Sequence, residues 1–179
     1  MSETVTFFDK TFVKYILSDQ IDAEITRMAA EISREYRDDD PIFLITLNGA
    51  VFFATELLKQ IDIRCRITCV KVSSYCGTES TGSINSLIGL NEDVRGKRIL
   101  ILEDIVDTGR TYIHLHDMLT KAGAKDVRIA TMTMKPDAYK ADLPVHYVGF
   151  RIPNKFVIGH GLDYDGYGRN LNDIYQLRQ

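Results

Sequence analysis

The segment "KRILILEDIVDTGRTY", Lys97 to Tyr112, constrains the chain more than any other. Ile99 to Leu102 is aliphatic without interruption, the pattern of a strand buried on both faces in a parallel sheet. The run then turns acidic: Glu103 and Asp104, two aliphatics, Asp107, and Thr108-Gly109-Arg110-Thr111. With the strand read as "KRILILE", Glu103 to Thr111 falls beyond its carboxyl end, where open α/β sheets bind ligands. A helix is expected from about Thr111 to Ala122, with Leu115, Met118, Leu119 and Ala122 as its apolar face and Gly123 ending it.

The start of that helix offers unpaired backbone N–H groups and a positive dipole end, with the hydroxyls of Thr108 and Thr111 beside them and Gly109 allowing close approach. This is a cradle for a phosphate monoester. Carboxylates beside an anion site make sense when the ligand also carries a sugar diol and magnesium, because Glu103 and Asp104 then accept from the diol directly or through the metal's waters. The competing reading has Asp107 or Thr108 capping the helix and Glu103 and Asp104 as solvated loop acids. It leaves an acidic doublet directly after a buried strand unexplained.

Elsewhere the chain alternates strands and helices. "SDQIDAEITRMAAEISREYR" from Ser18 places Ile21, Ile25, Met28 and Ile32 at helical spacing. "PIFLITL" reads as a buried strand, "NGA" as a tight turn and "VFFATELLKQI" as a helix. "IRCRITCVKVSS", "DVRIATMTM", "VHYVGF" and "KFVIG" are further strand candidates, which together imply an α/β domain around a mainly parallel sheet. Between them, Ser74 to Leu90 is rich in Gly, Ser and Thr; it fits a lid or binding loop and a polar hairpin equally well.

Composition narrows the function classes. A length of 179 residues fits one domain, 1–179, with a sizeable core. A net charge of -3 gives no general attraction to nucleic acid or anionic membranes, and no segment offers the roughly 18 uncharged apolar residues of a membrane span. A cytoplasmic location is the expectation. Cys65, Cys69 and Cys76 lack paired zinc spacing, and His114 and His116 point to different helix faces, so no zinc is expected.

"ILILEDIVDTGRT" resembles the phosphoribosyl pyrophosphate signature of the type I phosphoribosyltransferases, in the form with Glu-Asp, two aliphatics and Asp-Thr-Gly that marks the purine branch. Resemblance to the hypoxanthine-guanine members continues from Pro41 to Arg169 through "LNGA", "SSYCGTESTG", "MTMK" and "VGFRIPNKFVIGHGLDYDGYGR". It implies a type I fold, with helices flanking the sheet and a small hood from the terminal segments, its C-terminal part at about 152–179. It also implies magnesium-dependent transfer of phosphoribosyl to hypoxanthine or guanine, giving IMP or GMP and pyrophosphate, by a homodimer or homotetramer.

The residue roles follow from the same resemblance. Asp107 is implied as the acid–base carboxylate on the purine, and Glu103, Asp104, Asp107, Thr108, Gly109, Arg110 and Thr111 as the phosphoribosyl site. Asn48, Gly49 and Arg169 take the pyrophosphate, Asn48 standing where many relatives carry lysine, in a loop that has a non-proline cis peptide in the family. Lys135, Phe156, Val157 and Asp163 take the purine; Glu103, Asp104 and Asp163 meet the metal; Ser74 and Tyr75 begin a mobile loop at about 74–90. Two alternatives are a xanthine-preferring relative and a regulator that senses phosphoribosyl pyrophosphate and binds nucleic acid. The acidic balance disfavours the regulator, and no G-x-x-x-x-G-K-[ST] motif supports a kinase.

Overall fold

The structure, a computed structural model, describes residues 3–73, 85–88 and 92–178. An N-terminal hairpin of β1 (Thr4–Phe7) and β2 (Lys10–Ile16) leads into α1 (Ser18–Glu35). Then come β3 (Ile42–Leu47), α2 (Val51–Leu58), β4 (Arg66–Ser73), β5 (Asn85–Ile88), β6 (Arg98–Val106), α3 (Arg110–Lys121) and β7 (Asp126–Met134). β8 (Tyr147–Arg151), β9 (Val157–Ile158) and β10 (Ile174–Leu177) complete the chain.

Six strands form one sheet in the order β5-β4-β3-β6-β7-β8, parallel except for β5. Its central strands are apolar on both faces because both are covered. Phe43, Ile45, Leu100 and Leu102 join Ile21, Ile25, Met28 and Ile32 of α1 in one core, whereas Ile42, Leu44, Ile99 and Ile101 join Leu115 and Leu119 of α3 in another. Each fully buried aliphatic side chain contributes about 1.5–3 kcal/mol, so the period-two division of the strands decides which helix lies on which face. On α3 the apolar stripe is Tyr112, Leu115 and Leu119, with Met118 at its edge; Ala122, expected in it, is exposed and follows the helix as its C-cap.

The second sheet, β1-β2-β10-β9, is antiparallel and joins the two ends of the chain. It is the hood that the resemblance implied. β9, expected as one more strand, belongs here and not to the large sheet. Ser18 N–H donates to Asp173 Oδ1 at 2.8 Å, which ties the start of α1 to the approach to β10.

One sequence boundary is corrected. β6 does not stop at the acids: its ladder with β7 continues through Ile105↔Thr133 and Val106↔Met134, so Glu103 and Asp104 are strand residues. A backbone ladder needs only a partner strand, and β7 supplies one past the point where aliphatic side chains give out. Within the stretch from Ser74 to Leu90, Asn85–Ile88 returns antiparallel along β4; Ser74, Tyr75 and Cys76 lie outside the described residues.

Candidate active site

The pairing of β3 with β6 ends at Ile45↔Leu102, whereas β6 and β7 stay paired to Val106. Connections from β3 run outward to β4 and those from β6 run the opposite way to β7. This divergence is a topological switch point, the place where α/β sheets open a crevice for ligands. Glu103 and Asp104 lie on β6 just past the last shared pair.

The turn between β3 and α2 closes on them. Its Leu47-Asn48 peptide is cis, as the resemblance implied, and Asn48 is exposed. Gly49 is pressed onto Asp104: a Cβ there would lie 1.7 Å from Asp104 Oδ2. Thr46, buried, donates its hydroxyl to Leu102 C=O at 2.8 Å, and Thr133 donates to Asp104 C=O at 3.0 Å. Burial, with the neighbouring Asp104 charge second, pushes the Glu103 carboxyl well above its usual range. Asp104 is also raised by burial, against the opposing Ile105 N–H and Arg169 charge. Glu103 Oε2 is buried with no hydrogen-bond partner. Two crowded carboxylates with an orphaned oxygen fit a hydrated divalent cation and a diol.

Beyond β6 a cavity of ≈ 200 Å³ is lined by Glu103 and continuously by Ile105 to Tyr112. Gly109 is the N-cap of α3 at φ 85°, with no side-chain capping bond, so neither Asp107 nor Thr108 serves as the cap. The first intrahelical bond is Ile113 N–H to Gly109 C=O, leaving the N–H groups of Arg110, Thr111 and Tyr112 without an intrahelical acceptor. A Cβ at Gly109 would fall 2.6 Å from the Tyr139 ring, so both conformation and space demand glycine.

Asp107 points elsewhere. Its Oδ2 accepts from Lys135 Nζ at 2.8 Å, and Lys135 is buried to 8 % exposure at the end of β7. Lys135 N–H donates to Val106 C=O, which fixes the two strand ends together.

The hood supplies the other expected residues. Phe156 is 43 % exposed, 6.2 Å from Phe12 and 5.8 Å edge-on from Tyr164, while Val157 is buried beside it. Asp163 Oδ1 pairs with Arg169 Nη2 at 2.6 Å and its Oδ2 accepts Gly166 N–H at 2.7 Å, so both oxygens are engaged. Gly161 joins hood to crevice: it accepts from Arg169 Nη1 at 2.6 Å, and a Cβ on it would lie 2.0 Å from Gly49 C=O.

The structure thus connects Gly49, Glu103, Asp104, Asp107 to Thr111, Lys135, Asp163 and Arg169 through direct contacts or one shared cavity. Sequence reasoning did not single out Thr46, Ile105, Tyr139 or Gly161. Ile105 follows the acidic doublet and lines the cavity; the other three carry no local signal, since their partners are distant in the chain.

Residues 17–165 match the model of the phosphoribosyl transferase domain, and the chain belongs to that family. Among its relatives are the hypoxanthine-guanine phosphoribosyltransferases of Mycobacterium tuberculosis, 38% identical over 90% of this chain and 84% of that protein, and of Streptococcus pneumoniae, 38% identical over 90% of each. A crystal structure of a hypoxanthine phosphoribosyltransferase from Staphylococcus aureus superposes with TM-score 0.87 at 34% identity, covering 92% of this chain and 90% of that one.

Proposed function

We propose that the chain transfers the phosphoribosyl group of phosphoribosyl pyrophosphate to hypoxanthine or guanine, releasing pyrophosphate and giving IMP or GMP, a purine-salvage reaction. The observation that carries this reading is the 2.8 Å pair between Lys135 Nζ and Asp107 Oδ2. A 6-oxopurine presents its exocyclic oxygen and N7 side by side. An ammonium and a carboxylate held together match that edge: Lys135 donates to the oxygen, and Asp107 takes the N7 proton as N9 bonds to the anomeric carbon and the bond to pyrophosphate breaks. Such proton transfer is typically worth about 10²–10⁴-fold. Adenine would set an amine against the Lys135 ammonium, donor against donor, and leave both unpaired.

The remaining roles follow from placement. The N-terminus of α3, with Thr108, Gly109, Arg110 and Thr111, takes the ribose phosphate. Glu103 and Asp104 take the diol and Mg²⁺, which when bound neutralises their charge and that of the diphosphate. Asn48, Gly49 and Arg169 receive the pyrophosphate through amide and guanidinium donors. Phe156 stacks on the purine, the Val157 backbone reads its edge, and Asp163 would hold a second Mg²⁺, which would offset diphosphate charge beside Arg169. Residues 1–179 act as one catalytic unit, and Ser74 and Tyr75, outside the described residues, keep the role that the resemblance implies for them.

An assay with Mg²⁺, phosphoribosyl pyrophosphate and each of hypoxanthine, guanine, xanthine, adenine and uracil tests the proposal. Turnover of the 6-oxopurines alone is expected; nucleotide from none of the five would refute it. Omission of Mg²⁺ is expected to abolish turnover.

A further inference from the structure

A second cavity, of ≈ 250 Å³, lies behind the turn that carries Gly49, and Asp22, Phe52, Glu56, His160 and Asn172 are among the residues lining it. His160 is buried, with Nε2 2.7 Å from Glu56 Oε2 on α2 and its ring 6.4 Å from that of Phe52.

The backbone around His160 is unusual. Gly159, His160 and Gly161 have φ of 99°, 48° and 97°, three successive residues in the left-handed region. Both glycines are demanded by space as well, since a Cβ would lie 2.1 Å from Asp173 C=O at Gly159 and 2.0 Å from Gly49 C=O at Gly161. The middle position carries a full side chain where glycine would sit without penalty. A strained residue persists when its surroundings over-determine it. Here His160 N–H donates to Leu171 C=O, while the imidazole reaches Glu56.

What the imidazole tethers is the pyrophosphate end of the site. Glu56 stands on the helix that follows the Leu47 to Ala50 turn. Gly161, next to His160, abuts Gly49 C=O, accepts from Arg169 Nη1 and donates its own N–H to Arg169 C=O at 2.9 Å. Displacing His160 therefore moves Gly49 and Arg169 relative to each other and leaves the Lys135–Asp107 pair alone.

We propose that His160, anchored by Glu56, is a positioning residue that sets the spacing between the Gly49 turn and Arg169 and so governs affinity for the diphosphate. The inference rests on the function proposed above. His160→Gly tests it, because glycine keeps the left-handed backbone while removing the imidazole that reaches Glu56; Glu56→Gln leaves the imidazole in place and retains a hydrogen-bonding partner without the charge.

For His160→Gly, KM for phosphoribosyl pyrophosphate, and for pyrophosphate in the reverse direction, is expected to rise about tenfold, the size of one lost charged hydrogen bond. KM for hypoxanthine should stay within about twofold. Glu56→Gln should show a smaller rise in the same two constants. An unchanged KM for phosphoribosyl pyrophosphate would overturn the inference. So would a parallel rise in KM for hypoxanthine, the mark of a merely structural residue. Wild-type protein that forms no nucleotide would overturn the proposed function and this inference together, whereas an active wild type with an unaffected His160→Gly variant would overturn the inference alone.

Discussion

The carboxyl end of β6 and the hood meet at one site but are assembled in opposite ways. The first is contiguous: Glu103 to Thr111 passes from strand through turn to helix, and its geometry follows from local backbone structure. The hood draws on residues 4–16 and 157–177, and its strands are held by partners at the far end of the chain, such as Tyr175↔Lys14 and Gln176↔Val13. In the proposed reaction the contiguous half holds the ribose phosphate and diol and, through Asp107, the purine proton, whereas the hood adds stacking and edge contacts to the base and Arg169 for the pyrophosphate. A local motif preserves shared chemistry; a surface built from distant segments allows specificity to vary without disturbing it.

Substitutions that act on one half only are the means of breaking this comparison. Asp107→Asn should cause the largest effect, a loss of about 10²–10⁴-fold in kcat with circular dichroism and melting temperature preserved. Near-normal turnover would remove Asp107 from proton transfer. Gly49→Ala should follow, because a Cβ 1.7 Å from Asp104 Oδ2 forces the turn or the carboxylate to move. A displacement of that order lowers kcat/KM by about 10²-fold, and normal kinetics would show that the crevice is not the reaction centre.

Glu103→Gln should separate stability from function. The Glu103 carboxyl is raised by burial and by Asp104, so the folded state holds its proton more tightly than the unfolded state does. Folding stability from this group is greatest below the unfolded carboxylate range, about pH 4, and is lost as pH rises toward the elevated folded value. Removing the charge should therefore raise the melting temperature at pH 7, by roughly 2–4 °C per kcal/mol relieved, while weakening magnesium and substrate binding. A lower melting temperature at pH 7 would show that the charge is not a burden there.

Tyr164→Phe probes the composite half and should have the smallest effect. The Tyr164 hydroxyl accepts from Lys10 at 2.9 Å and donates to Asp9 at 2.8 Å, and its ring braces Phe156. Losing these bonds, about 0.5–1.5 kcal/mol each, should raise KM for the base a few-fold and leave KM for phosphoribosyl pyrophosphate unchanged. A shift in the second constant would mean that the two halves are not separable.

The same contrast explains what could be read before the fold was known. Helix α1, strands β3 and β7 and the glycine turn into α3 announce themselves because buried faces repeat at fixed spacing and because turn, cap and dipole are local. β1 and β2 did not, since "KTFVKYI" gains its place from β10 and "TVTF" only from pairing with "KTFVKYI". The continuation of β6 past its acids was hidden because it depends on the ladder with β7 and not on side-chain polarity. Asp107 had a local rival role as a cap, which Gly109 at the N-cap removes, and its contact with Lys135, a strand away, is invisible to local sequence. Phe156, Val157 and Asp163 were legible through family resemblance alone, since nothing in their spacing distinguishes them from core or surface. Thr46, Gly161 and His160 act through contacts that no window of sequence displays.

The pairing of β10 with both β2 and β9 sets an order of events on the ribosome. β9 finds its only ladder partner among the described residues in β10, so the end proposed to read the purine stays unformed when every strand of the large sheet has already been synthesised. A nascent chain that has not reached Ile174 can fold its phosphate cradle and still lack a closed base pocket. Turnover in the proposed reaction therefore waits for β10, and a released fragment ending before Ile174 should make no nucleotide.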